Sequence, residues 1–165
     1  WQDCELGIPV TTSTAPVADG SGRSVLAPGW TVHLSATMDE VTADARIGQL
    51  PDAASGWDPR DAELMPSAEA HQFYVVLPHP EWGARAADYV RDFRQPGRTE
   101  SWRFVVESNV GGRVVLRWKG PRSILEQSVV VDRETGETFP AAKLERQGYE
   151  FKMLPGQREF LWRVR

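Results

Sequence analysis

The sequence has few residues that cross-link a chain or hold it in a membrane. Its only cysteine is Cys4, so it has no internal disulfide and no cysteine-rich metal site. We expect Cys4 to be a free thiol or a small buried residue; the alternative is a bond to a partner chain. No run approaches the roughly 18 consecutive apolar residues of a membrane-spanning helix.

Lysine is scarce as well, because 16 of the 19 basic residues are arginines. Arginine suits interfaces, since its planar head pairs bidentately and stacks on aromatic rings, but genome base composition produces the same bias. The basic residues are spread along the chain and the pI is about 5.4, so nucleic acid is not an expected partner.

Residues 1–100 carry 15 acidic and 7 basic side chains, whereas residues 101–165 carry 8 acidic and 12 basic side chains. This asymmetry can orient a subunit on a charged partner, although charges on the solvent face of strands explain it more simply.

Enzyme signatures are missing too. The sequence has no nucleophile elbow, no phosphate-binding P-loop and no dinucleotide fingerprint. His33, His71 and His79 do not fall at metal-ligand spacing, and we expect them at the surface or in turns. A hydrolase assembled from His79, Asp88 and Asp92 is the remaining enzymatic alternative. The chain is therefore predicted to be non-catalytic, without a cofactor.

What the sequence does have is period-two alternation of apolar and polar residues, the pattern of strands with one buried face. It is clearest from Trp102 to Val164, and shorter runs surround Trp30–Leu34 and Gln72–Leu77. Three turn segments separate the later runs, and we expect them to close hairpins. They are Asn109–Gly112, Glu134–Glu137 and Leu154–Gln157. The fold prediction is an all-β, antiparallel sandwich of about seven to nine strands.

The predicted domain occupies residues 29–165, and residues 1–28, rich in Thr, Ser, Pro and Gly, are expected to form an extended arm. Two irregular connections, residues 38–70 and 78–99, interrupt the strands, and loops of this length are usually functional or partner-bound. A short helical turn is expected between Pro140 and Gly148. Four of the seven tryptophans are expected in the core, namely Trp30, Trp102, Trp118 and Trp162.

Four aspartates, Asp44, Asp52, Asp58 and Asp61, lie within the first irregular connection. Together with backbone carbonyls bent inward at Gly48 and Gly56, these carboxylates suit Ca²⁺, which accepts six to eight oxygen ligands, although the spacing is not that of an EF-hand. The alternative is that the aspartates cap turns by binding their own backbone.

Trp57 and Trp82 lie in the irregular connections beside glycines. Such aromatics either anchor a loop on the sheet, contact a partner protein, or stack on sugar rings. The candidate residues for a protein interface or a glycan site are Trp57, Trp82, Tyr89, Arg91 and Arg94.

Three segments resemble an Ig-like β-sandwich module of bacterial secreted and surface proteins. They are D-x-R-x-G-x-x-P-D-A-A-S-G-W-D-x-x-D over residues 44–61, E-W…D-Y-V-R-D-F-R over residues 81–94, and the terminal W-x-F-x-V…F-x-W-x-V block. The last block is also similar to the Ig-like domain of flagellar hook-capping proteins and to sorting domains. The resemblance implies an Ig-like fold, a periplasmic or extracellular location and no catalytic residues.

The function hypothesis is an accessory, structural subunit that docks onto other proteins of a larger assembly. A membrane-bound complex for electron transfer, such as a photosynthetic reaction centre, is one example of such an assembly. The alternatives are a carbohydrate-binding module and, third, a calcium-stabilised adhesion module.

Overall fold

The structure is a computed structural model that describes residues 29–66, 68, 70–96 and 101–165. Within these residues the chain forms eleven strands, two short α-helices and one 3₁₀ segment. The predicted arm over residues 1–28, including Cys4, lies outside the described residues. The strands are β1 (Trp30–Met38), β2 (Val41–Gln49), β3 (Ala62–Glu63), β4 (Phe73–Pro78), β5 (Asp88–Arg94), β6 (Ser101–Ser108), β7 (Gly112–Lys119), β8 (Ser128–Asp132), β9 (Thr138–Pro140), β10 (Tyr149–Met153) and β11 (Gly156–Val164). The helices are α1 (Arg122–Gln127) and α2 (Ala141–Gln147), and the 3₁₀ segment is Pro80–Arg85.

The strands form one mixed sheet in the order β10-β7-β1-β2-β5-β4-β6-β11-β8-β9, with β3 paired to β5. We call β10-β7-β1-β2-β5 the first half of the sheet and β4-β6-β11-β8-β9 the second half. Side chains from strands that share no hydrogen bonds touch each other, which shows that the sheet curls. Trp30 of β1 meets Trp102 of β6 with ring centroids 5.3 Å apart, and Trp118 of β7 meets Trp162 of β11 at 5.6 Å. The core therefore lies between the two halves.

Alternation produces this core as predicted. Every second residue of β1, from Trp30 to Met38, is buried, while the residues between them are partly exposed. The tryptophans assigned to the core from the sequence are all buried. Burying one large apolar side chain stabilises the fold by about 1.5–3 kcal/mol, so these interdigitated rings are a main source of stability.

The all-β prediction is confirmed, but the sheet differs from the prediction in two ways. It has eleven strands rather than seven to nine, because β2 and β5 lie within the connections predicted to be irregular and β3, of two residues, is too short to leave an alternating pattern. It is also not wholly antiparallel, since β2 and β5 pair in parallel. A parallel pair needs a long crossover, and the connection from residue 50 to residue 87 provides it.

Two of the three predicted hairpin turns are wrong. Strand β6 pairs with β4 and β11, whereas β7 pairs with β1 and β10, so Asn109–Gly112 carries the chain from one half of the sheet to the other. Leu154–Gln157 does the same between β10 and β11. Packing is close at Gly112, since a Cβ there would lie 2.6 Å from the Met38 sulfur and would displace the Met38 side chain. The third turn does close the β8–β9 hairpin, with Gly136 at φ 73°.

The helices cover one open end of the sheet. The predicted turn between Pro140 and Gly148 is confirmed as α2, and the carbonyl of Ala141 accepts a hydrogen bond from Trp118 Nε1 at 2.7 Å. Helix α1 was not predicted, because six residues are too few to show a helical period. Its Ile124 and Leu125 are buried and extend the core.

Candidate functional site

Several of the residues singled out from the sequence, among them His79, Trp82 and Tyr89, converge where β4 ends, the 3₁₀ segment follows and β5 begins. Pro80 occupies the start of the 3₁₀ segment, and Gly83, at φ 55° and ψ −115°, interrupts it. A side chain at Gly83 would be strained at that φ. The kinked segment places Trp82 over the end of the sheet, where its ring packs partly buried against the core.

His79 is the centre of this region. It lies in a turn, as expected, but is only 4% exposed rather than at the surface. Its ring stacks on Trp82 with centroids 3.6 Å apart and planes 9° apart. Its Nδ1 lies 2.7 Å from Glu81 Oε1, and its Nε2 lies 3.1 Å from Asp92 Oδ2. The contact with Asp92 is an ion pair, because the Nε2–H is poorly aligned for a hydrogen bond.

The two carboxylates favour the charged form of this histidine. Burial alone lowers the pKa of His79, but the contacts with Asp92 and Glu81 outweigh burial and raise that pKa above its usual value. The ring lies flat on the electron-rich face of the Trp82 indole, which is a cation–π geometry when His79 is protonated. His79 thus connects the 3₁₀ segment, through its charge and its ring, to strand β5.

Asp92 is 1% exposed and is shared by two cations. Besides His79, it accepts hydrogen bonds from Arg94, with Nε at 3.1 Å and Nη2 at 2.7 Å. Burial raises the pKa of Asp92, but His79 and Arg94 more than offset this and hold it below its usual value. Arg94 also lies over the Trp102 ring, 5.0 Å from its centroid, and donates to the Ser101 carbonyl at 3.0 Å.

This arrangement gives the hydrolase alternative no support. A histidine base needs one ring nitrogen free to accept a proton from a hydroxyl or thiol. Both ring nitrogens of His79 face carboxylates instead. Asp88, the third residue of that hypothesis, is exposed and lies with His79 on the wall of a shallow depression of about 290 Å³.

Tyr89 is the buried residue against which Trp82 and His79 pack. It is 2% exposed, and its ring packs edge-on against Trp82 at 4.8 Å and against His79 at 5.7 Å. Its hydroxyl donates a hydrogen bond to the Arg85 carbonyl at 2.7 Å. Burial raises the pKa of Tyr89, so the hydroxyl stays a donor. Tyr89, a candidate contact residue from the sequence, is therefore turned inward and fixes the 3₁₀ segment.

Trp57 is the aromatic ring that this region presents to solvent. It is 36% exposed, and the Arg85 guanidinium carbon lies 4.2 Å from the centroid of its ring. Arg85 belongs to the segment fixed by Tyr89, so the Trp57–Arg85 pair joins the long connection to the 3₁₀ segment. We call Trp57, Trp82 and Arg85, together with His79 beneath them, the tryptophan edge.

Two aspartate carboxylates accept the backbone hydrogen bonds that fix the loop carrying Trp57. Asp58, 4% exposed, accepts the backbone N–H groups of Ala54 and Arg60, both at 2.9 Å. Asp61 accepts the N–H of Asp58 at 2.7 Å and that of Phe93, in β5, at 2.9 Å. The turn-capping alternative is therefore confirmed for Asp58 and Asp61.

The four candidate calcium ligands do not form one cluster. Asp52 and Asp58 both pair with the Arg60 guanidinium, which supplies the positive charge there. Asp44 lies on β2 and pairs with His33 at 3.2 Å. The backbone N–H of Arg60 is the main cause that lowers the pKa of Asp58. Over the described ranges, no group of three or more His, Cys, Asp or Glu side chains has the geometry to hold a metal ion. Calcium binding stays an untested prediction.

Sequence reasoning identified Trp57 and Trp82 but missed their partners. Arg85 and Glu81 carried no recognisable spacing, and the role of Asp92 depends on β5 lying beside β4. The available signal was the run His79-Pro80-Glu81-Trp82, in which a cation, an anion and an aromatic ring occupy one turn. Arg91, also a candidate, is exposed on β5 with its side chain on the other face from Asp92.

Comparisons with known proteins give no identity. No protein-family model, no curated protein and no solved structure matches this chain. Among the described residues, neither helix is long and apolar enough to cross a membrane.

Proposed function

We propose that this chain is a non-catalytic accessory module, of Ig-like sandwich type, that works outside the cytoplasm and docks onto a larger protein assembly through its tryptophan edge. The observation that carries the proposal is Trp57, a large aromatic ring exposed to solvent yet held by Arg85 on a buried hydrogen-bonded base. Tryptophan and arginine dominate the energetic centres of protein interfaces.

Pre-organisation of this edge supports the proposal further. A side chain that is ordered before binding loses less entropy on association, which strengthens binding without adding contacts. Asp58 and Asp61 hold the Trp57 loop, while His79 and Tyr89 hold the segment that carries Arg85. Met65, in the same long connection, is 88% exposed and adds apolar surface. A membrane-bound electron-transfer complex remains one assembly that such a module would suit.

The test is co-migration with partners in the native source. Tagged wild-type chain and the Trp57→Ala variant are expressed there, extracted gently and separated by size. We expect the wild type to travel at the mass of a larger assembly and the variant to shift toward its 18.5 kDa chain mass. Leu154→Ala is the matched control, because Leu154 is 78% exposed and lies outside the edge. Migration of the wild type alone contradicts the proposal.

The carbohydrate-binding alternative is distinguished with the same variants. A sugar-binding platform needs an open aromatic face. His79 covers one face of the Trp82 ring, and Arg85 covers one face of the Trp57 ring. Glycan retention by the wild type that Trp57→Ala abolishes, without any co-migrating protein, would favour that alternative.

A further inference from the structure

A second surface of the molecule carries three cationic side chains and a histidine in one line across four adjacent strands. The pairing register places Arg91 of β5 beside Arg46 of β2, Arg46 opposite His33 of β1, and His33 opposite Lys119 of β7. Directly paired residues point to the same face of a sheet. We call these four residues the basic row.

The basic row faces solvent. Arg46, Arg91 and Lys119 are exposed, and the His33 side chain is 43% exposed. Their strand neighbours point the other way into the core, as with Trp118 and Ile47. Two shallow depressions meet at His33, one reaching Arg46 and Arg91 and the other reaching Lys119 and the neighbouring Arg117 and Arg146.

Little negative charge from the chain itself neutralises this row. Asp44 pairs with His33 at 3.2 Å, and Glu145 lines the depression beside Lys119. No ion pair between described residues involves Arg46, Arg91 or Lys119. Like charges directly opposite each other on neighbouring strands destabilise a sheet, so folding alone does not favour such a row.

The outer face of the second half of the sheet is different. There, Arg103 and Arg133 both pair with Glu159, at 3.0 and 3.8 Å, and Gln157 donates to Glu107 at 3.0 Å. The outer face of the second half therefore balances its charges between neighbouring strands. The basic row instead leaves the charges of Arg46, Arg91 and Lys119 available to another molecule.

We propose that the basic row binds an acidic, extended segment of a partner protein. Neighbouring strands are about 4.8 Å apart, so four strands span about 14 Å, and alternate residues of an extended chain are about 6.8 Å apart. An extended segment of about five residues with carboxylates at alternate positions therefore matches the length of the row.

Other anionic partners fit the surroundings less well. A planar anionic membrane would also face Asp39 and Glu40, which form the exposed β1–β2 turn, and Asp44. Single-stranded nucleic acid binds by stacking bases on aromatic side chains, and the one aromatic residue lining these depressions, Trp118, is buried. This inference does not depend on the tryptophan edge, because it concerns a different set of residues.

The experiment measures binding of fluorescent poly-glutamate to the full chain at low salt, with heparin and phosphatidylserine vesicles as competing anions. The double variant Arg46→Glu/Lys119→Glu is compared with Arg163→Glu/Arg165→Glu, which makes the same change of charge on exposed residues of the second half. We expect the row variant to weaken binding by about tenfold or more, and the control by about twofold or less. We also expect the melting temperature of the row variant not to fall, because Arg46→Glu removes the repulsion between Arg46 and Arg91, which lie directly opposite each other.

Three results would overturn the proposal. The first is equal weakening by the two double variants, which means that only net charge matters. The second is absence of poly-glutamate binding by the wild type. The third is tighter binding of heparin or vesicles than of poly-glutamate. Should the row variant fail to fold, Arg46→Gln/Lys119→Gln removes the same positive charges without adding negative ones and is judged by the same criteria.

Discussion

Two buried aspartates, Asp92 in the first half of the sheet and Asp132 in the second, neutralise their charge in the same way but with different consequences. Each binds an arginine, Arg94 in one case and Arg158 in the other. The second partner differs: Asp92 faces His79, whereas Asp132 accepts a hydrogen bond from the Tyr149 hydroxyl at 3.0 Å. Only the first network contains a group that changes charge near neutral pH, and the tryptophan edge is built on that network.

The second network is purely structural. Asp132 is fully buried and receives the Arg158 Nε–H at 3.1 Å as well as the backbone N–H of Glu134 at 3.0 Å. Burial raises the pKa of Asp132, but Arg158 and Tyr149 more than offset this and lower it. Because these residues come from β8, β10 and β11, the network ties together strands from both halves of the sheet. The comparison indicates that one aspartate closes the fold and the other supports the surface proposed to dock.

The largest expected effect is that of Asp132→Ala. It removes the buried carboxylate and leaves the buried Arg158 guanidinium with the exposed Glu134, 3.3 Å away, as its only described carboxylate partner, and breaking a buried ion pair costs about 3–5 kcal/mol. We expect the free energy of unfolding to fall by that amount in denaturant titration. Glu150→Ala, which breaks only the exposed pair with Arg113, is the control and should have little effect. Similar stability of the two variants would contradict a structural role for Asp132.

Asp92→Ala is expected to be less costly, about 2–3 kcal/mol, because Arg94 is partly exposed and regains water. Its effect should also be local. Hydrogen exchange should accelerate in residues 79–94, which include the 3₁₀ segment, and remain slow in β11. Uniform acceleration across the sheet would mean that Asp92 supports the whole fold rather than the tryptophan edge.

The dependence of stability on pH separates the two networks. The pKa of His79 is raised above 6.5 in the folded protein, so its contribution is complete below pH 6.5 and is lost as the pH rises through the folded-state pKa. Asp92, whose pKa is lowered, loses its contribution only as the pH falls below 3.8 toward its folded-state value. Tyr149 has a pKa raised above 10.0, so the Asp132 network does not titrate between these limits.

We therefore expect the melting temperature of the wild type to decline on the alkaline side of pH 6.5, and His79→Gln to remove most of that decline. The check is a series of thermal melts of both proteins from slightly acidic to slightly alkaline pH. Parallel curves for the two proteins would show that His79 is not the titrating group.

Sequence reasoning succeeded where the signal is local and failed where it depends on strand order. Alternation identified the buried tryptophans, and Pro140 and Gly148 bracketed α2. The pairing of β2 with β5 was not predictable from local patterns, because it joins residues about 45 positions apart. The same holds for the His79–Asp92 contact, which exists only because β4 and β5 are neighbours. For the same reason, the turns at Asn109 and Leu154 have the composition of hairpins while connecting different halves of the sheet.

The smallest expected effect on stability is that of Trp57→Ala. Trp57 is partly exposed and its main described contact is the cation–π pair with Arg85, so we expect a loss of about 1 kcal/mol or less in the free energy of unfolding. A large loss of stability would mean that Trp57 anchors its loop rather than serving as a contact residue.

The measurement that tests docking most directly is a hydrogen-exchange footprint of the chain in gently extracted native complexes, compared with the isolated chain. The proposed function predicts slower exchange in the complex at residues 54–60 and 79–86, which carry Trp57 and Arg85, with little change in β10 and β11. Unchanged exchange at those two segments, with protection elsewhere, would contradict docking through the tryptophan edge.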